Sequence, residues 1–142
     1  MEKLEKKLSY TFRDRTLLIE ALTHSSWANE NKRSGAESNE RLEFLGDSVL
    51  GFAVAEYLYR NKSKMPEGQM TRLRAELVCE KSLAAAAFQL ELGKNLRLGR
   101  GEEQSGGRRR PSILADAFEA VVAAVFLDGG IEPVKSMVSR YV

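Results

Sequence analysis

Apolar residues recur every three or four positions along most of the chain, which is the spacing of one face of an α-helix. No segment shows the alternation of β-branched and polar residues that is typical of a strand. The stretch after Asp14 is a clear case, because this N-cap residue precedes apolar positions at helical spacing, Leu17, Leu18, Ala21 and Leu22. The pattern predicts an all-α protein whose first clear helix runs from Asp14 to about Leu22.

Start and stop signals divide the rest of the chain into further helices and loops. The polar runs NENKRSGAES and LRLGRGEEQSGGRRRP predict two loops. The predicted helices run from Ser38 or Asn39 to Tyr59 or Arg60, from Pro66 through PEGQMTRLRAELV, over LAAAAFQLEL to Gly93, from Pro111 or Ser112 to Gly129 or Gly130, and from about Pro133 to Tyr141. We therefore expect one domain without internal repeats.

Composition indicates a folded protein in a reducing compartment. The 142 residues are 43% hydrophobic and 30% charged, the balance of a globular domain rather than a disordered or membrane chain. The single cysteine, Cys79, has no partner within the chain, and we expect a buried or interfacial thiol without chemistry. The N-terminus mixes both charge signs with no apolar run behind it. We therefore expect no signal peptide, no membrane span and a cytoplasmic protein.

Three carboxylates lie within an otherwise apolar part of the long predicted helix. On a helical wheel, Glu40, Glu43 and Asp47 fall within an arc of about 60°. Acids are common in a first turn because they favour the helix N-terminus, and this explanation stays open for Glu40 and Glu43. It fails for Asp47, which lies two turns into the helix and has no basic residue at helical spacing to neutralise it.

A second helix repeats this arrangement. Asp116 and Glu119 are three residues apart, and the small residues Ala120 and Ala123 continue their face. A solvated pair near a helix start is the alternative for these two acids. If the two helices pack face to face, however, four carboxylates meet, and without a cation they would protonate or move apart.

The residue types indicate which cation would suit such a cluster. Carboxylate oxygens suit Mg²⁺, for which Mn²⁺ would substitute. Zinc is not expected, because the chain offers one histidine and one cysteine, far apart in sequence. A hard cation held by acids suits the hydrolysis of phosphodiesters.

Basic residues are concentrated away from these acids. The net charge is only +2, which by itself says little about a nucleic-acid partner. Five arginines nevertheless crowd into LRLGRGEEQSGGRRRP: Arg97, Arg100, Arg108, Arg109 and Arg110. A solvated loop is the alternative for the last three, but their position just before the helix with Asp116 favours contact with phosphate groups.

Two other motifs carry no expected chemistry. His24 lies beside two serines in THSSW, but no acid is placed to orient its imidazole, so we expect a hydrogen bond at a helix end. The glycines of the arginine-rich segment lack the Gly-Lys-Ser/Thr ending of a phosphate loop. No small-molecule cofactor is therefore expected.

The acidic and basic segments together resemble a known family. ERLEFLGDSVL resembles the signature of ribonuclease III, and PEGQMTRLRAELV and GGRRRPSILADAFEAVVAAVFLDGG resemble later blocks of that family. The resemblance runs in order from about Leu8 to Val142. It implies that residues 1–142 form a ribonuclease III catalytic domain, a Mg²⁺-dependent endonuclease of double-stranded RNA that acts in rRNA and mRNA processing and decay. The implied products carry 5′-phosphate and 3′-hydroxyl ends with short 3′ overhangs.

The resemblance also implies roles for individual residues. The catalytic acids that hold the metal would be Glu43, Asp47, Asp116 and Glu119, with Glu40 and Glu67 as auxiliary acids. Members of the family form symmetric homodimers with one site in each subunit. Phe44 matches the aromatic residue that each subunit inserts into its partner, whereas spacing alone leaves a core position open.

Common bacterial members continue into a C-terminal double-stranded-RNA-binding domain that this chain does not contain. We therefore expect RNA binding to depend on the catalytic valley and its arginines, with little sequence specificity because duplex RNA is recognised mainly by shape and phosphates. Two alternatives remain open: a non-catalytic double-stranded-RNA-binding homologue, and an all-α interaction protein whose acids are salt-bridged.

Overall fold

The segments with helical spacing form helices, and the computed structural model, which describes residues 1–142, contains no strand. Its ten α-helices are α1 (Glu2–Leu8), α2 (Arg15–Ala21), α3 (Ser25–Glu30), α4 (Glu40–Asn61), α5 (Glu67–Leu77), α6 (Glu80–Gln89), α7 (Leu92–Asn95), α8 (Arg100–Gln104), α9 (Pro111–Gly129) and α10 (Ile131–Tyr141). Short 3-10 turns cover Lys32–Ser34 and Gly107–Arg109. The prediction of an all-α protein is confirmed.

Helix α9 lies at the centre of the fold. Its sequence is apolar on nearly every side, and the segment from Ala120 to Val125 is completely shielded from solvent. α4 packs along it most extensively, while α6, α2 and α10 cover its other sides. The 33 buried apolar residues form one continuous cluster, as a single domain requires.

Several helix starts lie where the sequence predicts them. Asp14 caps α2, because its side chain accepts a hydrogen bond from the backbone N–H of Thr16 at 3.0 Å. α4 begins directly after Asn39, and α9 begins at Pro111. These are positions where a capping residue or a proline marks the boundary.

Other boundaries differ from the prediction. α6 runs from Glu80 to Gln89 instead of from Leu83 to Gly93, and Gly93 lies within α7. α10 begins at Ile131 because Pro133 is tolerated within a first helical turn. α1 was not predicted, and neither were α3, which overlaps only the start of the first predicted loop, and α8, which lies within the second; both are too short for a periodic pattern. α3 and α8 contact each other, so tertiary contacts rather than local propensity hold them.

A hydrogen-bond cluster fastens the N-terminal segment to the far end of α9. The Tyr10 hydroxyl donates to Asp128 Oδ2 at 2.5 Å. The same carboxylate accepts the backbone N–H groups of Arg13 and Asp14, both at 2.9 Å. Asp128 therefore ties the chain before α2 to the end of the central helix.

Cys79 lies at the N-terminal end of α6 and is exposed, so of the two predicted alternatives the buried thiol is wrong, while the interfacial thiol stays a prediction. None of the helices combines the length and the apolar character that crossing a membrane would need.

Candidate metal centre

The candidate site lies where α4 crosses α9, and a glycine permits this crossing. A Cβ atom added to Gly46 would overlap the backbone carbonyl of Glu119, so a larger residue would force the two helices apart. Gly46 lies between Glu43 and Asp47 in α4, so the close approach brings acids of both helices together. The sequence predicts a close approach from the small residues Ala120 and Ala123 of α9, whereas no pattern around Gly46 indicates its contact with Glu119.

Glu43, Asp116 and Glu119 form the centre of an acidic cluster. Each contributes a carboxylate oxygen, and these oxygens all lie within 4.8 Å of one another. Asp47 lies beside this group, close enough that its side chain helps to raise the pKa of Glu119. The two acidic faces therefore meet, as the helical spacing predicts.

The pKa values show that the cluster resists full ionisation. Burial, and then the charge of Asp116, raises the pKa of Glu43 to about 7. Burial, and then the hydrogen bond with Asp47 and its charge, raises the pKa of Glu119 to about 8. Near neutral pH the cluster thus retains protons that a bound cation would displace.

Two residues outside the predicted set also act on Asp116. Burial raises the pKa of Asp116, and the charge of Glu80 at the start of α6 adds to this rise. The hydrogen bond with Glu43 and the charge of His24 act in the opposite direction. Sequence reasoning missed Glu80, because an acid in a helix first turn is common and nothing in its spacing connects it with α9.

His24 has the role predicted for it at a helix end. Its Nδ1 atom accepts the backbone N–H of Ser26 at 3.1 Å and lies 2.8 Å from Ser26 Oγ. This hydrogen bond caps α3. The Ser26 hydroxyl also accepts the backbone N–H of Gly99 at 2.8 Å, which attaches α3 to the arginine-rich segment.

The donor set of the cluster fits a hard divalent cation. All eight ion pairs of the structure lie elsewhere, so no lysine or arginine neutralises these acids. The alternative of a salt-bridged cluster is therefore wrong. Glu43 and Asp116 are partly exposed and Asp47 is exposed, which leaves the cluster open to solvent. Several carboxylate oxygens at an open position are the ligands that Mg²⁺ prefers.

The two auxiliary acids have different surroundings. Glu40 acts on Glu43 by charge and accepts a hydrogen bond from the Ser38 hydroxyl at 3.0 Å. Glu67 instead lines a groove of about 500 Å³ between α4 and α5, and it accepts a hydrogen bond from the Thr71 hydroxyl at 2.8 Å. The predicted role of Glu67 near the metal or the scissile strand stays a prediction.

Three of the five arginines have intramolecular partners. The Arg97 guanidinium lies 3.9 Å from the ring centroid of Trp27. Arg108 donates to two backbone carbonyl oxygens at 2.7 and 2.8 Å. Arg110 forms an ion pair with Glu102. These contacts organise the arginine-rich segment itself.

Among the five arginines of this segment, Arg100 and Arg109 are the two whose side chains have no partner within the chain. Both are exposed. Arg100 begins α8, and its backbone N–H donates to Glu30 Oε2 at 2.8 Å. This hydrogen bond holds the Arg100 backbone in place, while its guanidinium has no partner.

Phe44 lies on an exposed apolar stripe that borders the acids. Its side chain is 80% exposed, so the alternative of a core position is wrong. Phe52 and Tyr59 of the same helix are also mostly exposed. On a helical wheel these three aromatics span an arc of about 80° beside the acidic face. Sequence reasoning singled out Phe44 and missed the other two.

A depression beside Phe44 is also mainly apolar. Its volume is about 600 Å³, and its lining includes Leu17, Leu42, Leu45 and Leu127. Leu127 is itself 53% exposed. A protruding aromatic ring thus lies next to an apolar depression on one surface.

The fold and the site define a helical domain in which two crossing helices present acids suited to a divalent cation. Residues 14–142 match the family described as Ribonuclease-III-like. The chain belongs to this family. A ribonuclease 3 from Caldanaerobacter subterraneus is 60% identical over 135 residues, which are 95% of this chain and 59% of that protein. A ribonuclease 3 from Pelotomaculum thermopropionicum is 56% identical over 97% of this chain and 57% of its own length. The chain thus spans less than two thirds of these relatives.

Solved structures support the same assignment. Two structures of the nuclease domain of ribonuclease III from Campylobacter jejuni are 46% identical to this chain, with TM-scores of 0.91 and 0.90. The alignments cover 99% of this chain and 94% and 92% of those chains. The observed fold is therefore that of a ribonuclease III nuclease domain.

Proposed function

We propose that residues 1–142 form the catalytic domain of a ribonuclease III that hydrolyses phosphodiester bonds in double-stranded RNA with Mg²⁺. The observation that carries this proposal is the cluster of Glu43, Asp47, Asp116 and Glu119 without a neutralising basic residue. The ribonuclease 3 relatives support the reaction. The expected products have 5′-phosphate and 3′-hydroxyl ends with short 3′ overhangs, and the expected role is rRNA and mRNA processing and decay in the cytoplasm. The single unpaired thiol is consistent with that compartment.

The four acids would hold the cation, and Mn²⁺ would substitute for Mg²⁺. When bound, the cation supplies Lewis-acid activation of the phosphodiester and of the attacking water. The protein contributes oxygen ligands from two rigid helices, so their separation is set by the contact at Gly46. Glu43 and Glu119 must lose their protons to act as ligands, which favours binding at higher pH.

Among the five arginines of this segment, we propose Arg100 and Arg109 as the RNA contacts. Their guanidinium groups are exposed and have no partner in the chain, so they can bind phosphate oxygens without breaking an internal contact. For Arg97, Arg108 and Arg110, contact with RNA stays a prediction, because each guanidinium is already engaged.

We also propose a homodimer formed through the stripe of Phe44, Phe52 and Tyr59. A symmetric interface needs a surface that complements itself, and Phe44 beside an apolar depression provides a projection and a recess. One Campylobacter jejuni structure is described as having a region involved in dimer formation of the nuclease domain. In such a dimer each subunit would supply one acidic cluster, and two clusters would cut opposite strands.

Cleavage of an end-labelled RNA duplex with Mg²⁺, and with EDTA in place of the metal, tests the function. Cleavage should require the metal, and Asp47→Asn and Glu119→Gln should each lower its rate about 100-fold or more, because each removes a ligand charge while retaining shape. Both variants should retain the thermal stability of a folded protein.

Two results of the same assay would contradict the proposed activity or the proposed ligand set. RNA that shifts in a gel but stays uncut in Mg²⁺ and in Mn²⁺ would favour the non-catalytic RNA-binding homologue. Cleavage at the wild-type rate in either variant would remove that residue from the proposed ligand set. Mapping of the 5′ and 3′ product ends checks the stated polarity and overhang.

A further inference from the structure

Arg97 is joined to the connection between α2 and α3 by both its backbone and its side chain. Its backbone N–H donates to the Leu22 carbonyl at 2.8 Å, and its carbonyl accepts the His24 N–H at 3.0 Å. Its Nε and Nη2 atoms donate to Thr23 Oγ1 at 3.0 and 2.8 Å. The ring of Trp27 covers the guanidinium face. Arg97 therefore uses its Nε and Nη2 donors and one face of its guanidinium within the chain, which fixes the side chain against Thr23.

Thr23 contacts both Arg97 and the residue that precedes α4. Its side chain is completely shielded from solvent, and its hydroxyl donates to the Ile19 carbonyl at 2.6 Å while it accepts from Arg97. The Thr23 backbone carbonyl accepts the N–H of Asn39 at 2.8 Å. Thr23 therefore connects the arginine-rich segment with the residue that precedes α4.

Asn39 attaches this connection to the acidic helix. It is only 4% exposed, and its side-chain amide donates to the Ala21 carbonyl at 3.1 Å. The Asn39 backbone carbonyl accepts the N–H of Glu43 at 2.8 Å. Three consecutive contacts thus lead from the Arg97 guanidinium through Thr23 and Asn39 to the backbone of Glu43.

We propose that Arg97 is a positioning residue of the acidic cluster rather than an RNA contact. Through Thr23 and Asn39 it fixes the first turn of α4, and with it the direction in which Glu43 presents its carboxylate. The inference rests on the proposed function. A displacement of about 1 Å in a catalytic group can lower a rate about 100-fold, so loss of this support should reduce kcat rather than RNA affinity.

Thr23→Val provides the sharpest test, because it removes the hydroxyl that accepts from Arg97 and leaves every charge in place. We expect kcat on saturating duplex RNA to fall about 10-fold or more. The Kd for RNA in EDTA, and the slope of log Kd against log salt, should stay unchanged. Thr23→Ser restores the hydroxyl, so its kcat should lie within about twofold of the wild-type value.

Arg97→Gln tests the same chain of contacts from its other end. It should repeat the loss of kcat without changing the salt slope, whereas Arg100→Gln should lower that slope by about one phosphate contact. A salt slope lowered by about one in Arg97→Gln, with kcat retained, would overturn the inference in favour of an RNA contact. Retention of wild-type kcat in Thr23→Val would overturn it as well.

A control variant separates positioning from general destabilisation. Tyr10→Phe removes a hydrogen bond at Asp128, which lies 12 residues and about 18 Å along α9 from Asp116. It should lower Tm while kcat per folded molecule stays at the wild-type value. If Thr23→Val behaves like Tyr10→Phe, the contacts are only structural and the inference fails.

A metal-binding measurement keeps the inference testable apart from cleavage. Stabilisation by Mn²⁺, followed as a shift in Tm, should need a several-fold higher concentration in Thr23→Val than in Thr23→Ser or the wild type. Wild-type protein that fails to cleave RNA would overturn the proposed function. An unchanged Mn²⁺ midpoint in Thr23→Val would instead overturn the positioning role.

Discussion

Glu119 holds its carboxylate among other acids at a position that is only 9% exposed. Its pKa of about 8 follows first from burial and then from Asp47. The folded chain therefore favours the protonated form, whereas the unfolded chain titrates near 4.5. The contribution of Glu119 to the free energy of unfolding is therefore fully present below about pH 4.5. This contribution is lost as the pH rises through about 8, because the folded chain then has to hold a charged carboxylate.

Metal-free Glu119→Gln should accordingly gain stability relative to the wild type as the pH rises from 5 to 9. The amide keeps the shape of the protonated acid and cannot ionise, so the difference in Tm should grow by several degrees, at about 3 °C for each kcal/mol. Thermal unfolding in EDTA across this range measures the difference. Addition of Mg²⁺ should reverse the order, because only the wild type offers the full set of ligand charges.

Glu91→Gln is the control for that experiment. The hydrogen bond from Lys94, followed by its charge, lowers the pKa of Glu91 below 4.5, so Glu91 stays ionised from pH 6 to 9. The difference in Tm between this variant and the wild type should be constant over that range. A pH trend in Glu119→Gln no larger than in Glu91→Gln would contradict the raised pKa.

Arg100 and Arg108 differ in what their guanidinium groups contact, so their replacement should have different effects. Arg100→Gln removes a free, exposed charge and should weaken RNA affinity in EDTA, with the salt slope lowered by about one. Arg108→Gln removes hydrogen bonds to the Gly93 and Leu96 carbonyls and should lower Tm by several degrees. Filter binding at four or five salt concentrations, together with thermal unfolding, distinguishes the two results. An equal loss of salt slope in both variants would contradict this division.

At the scale of helices, the acidic cluster depends on how closely α4 approaches α9. Gly46→Ala would normally favour a helix by about 0.5–1 kcal/mol, but here the new methyl group meets the Glu119 carbonyl. We expect a net destabilisation of about 1–3 kcal/mol and a loss of cleavage, because the two pairs of acids would separate. Thermal unfolding and the cleavage assay measure the two effects.

Gly51→Ala provides the matched change in the same helix. Beyond the adjacent residues and the local backbone of α4 itself, no atom lies within 4 Å of the added Cβ at this position, so the substitution should stabilise the protein slightly. Similar changes in Tm for Gly46→Ala and Gly51→Ala would show that the helices tolerate a wider separation at the crossing.

The sequence predicts the two acidic faces because helical periodicity alone aligns Glu43 with Asp47 and Asp116 with Glu119. It does not distinguish Arg97 from Arg100, since the hydroxyl that accepts from Arg97 lies 74 residues away in the chain. Short helices such as α3 are missed for the same reason, because contacts distant in sequence hold them. Local pattern thus predicts the long elements and their faces, while the function of single arginines depends on tertiary partners.

At the scale of the whole molecule, a single chain leaves the aromatic side chains of α4 exposed to solvent. Phe44, Phe52 and Tyr59 together would be costly to leave in water, and a symmetric partner would cover them twice. Because this stripe borders the acidic face, dimerisation would bring the acidic clusters of the two subunits to the same side of the dimer. Assembly and double-strand cleavage should therefore be lost together.

Phe44→Ala tests that coupling directly. Removal of an aromatic anchor at the centre of an interface should weaken the dimer about 30-fold or more, and sedimentation velocity at micromolar concentration should detect the monomer. Since a monomer carries one acidic cluster, any residual activity should nick one strand instead of cutting both. Phe88→Ala serves as the matched control, because Phe88 on α6 is 77% exposed but lies outside the α4 stripe. An unchanged dimer in Phe44→Ala, or dissociation in both variants, would show that the stripe is not the interface.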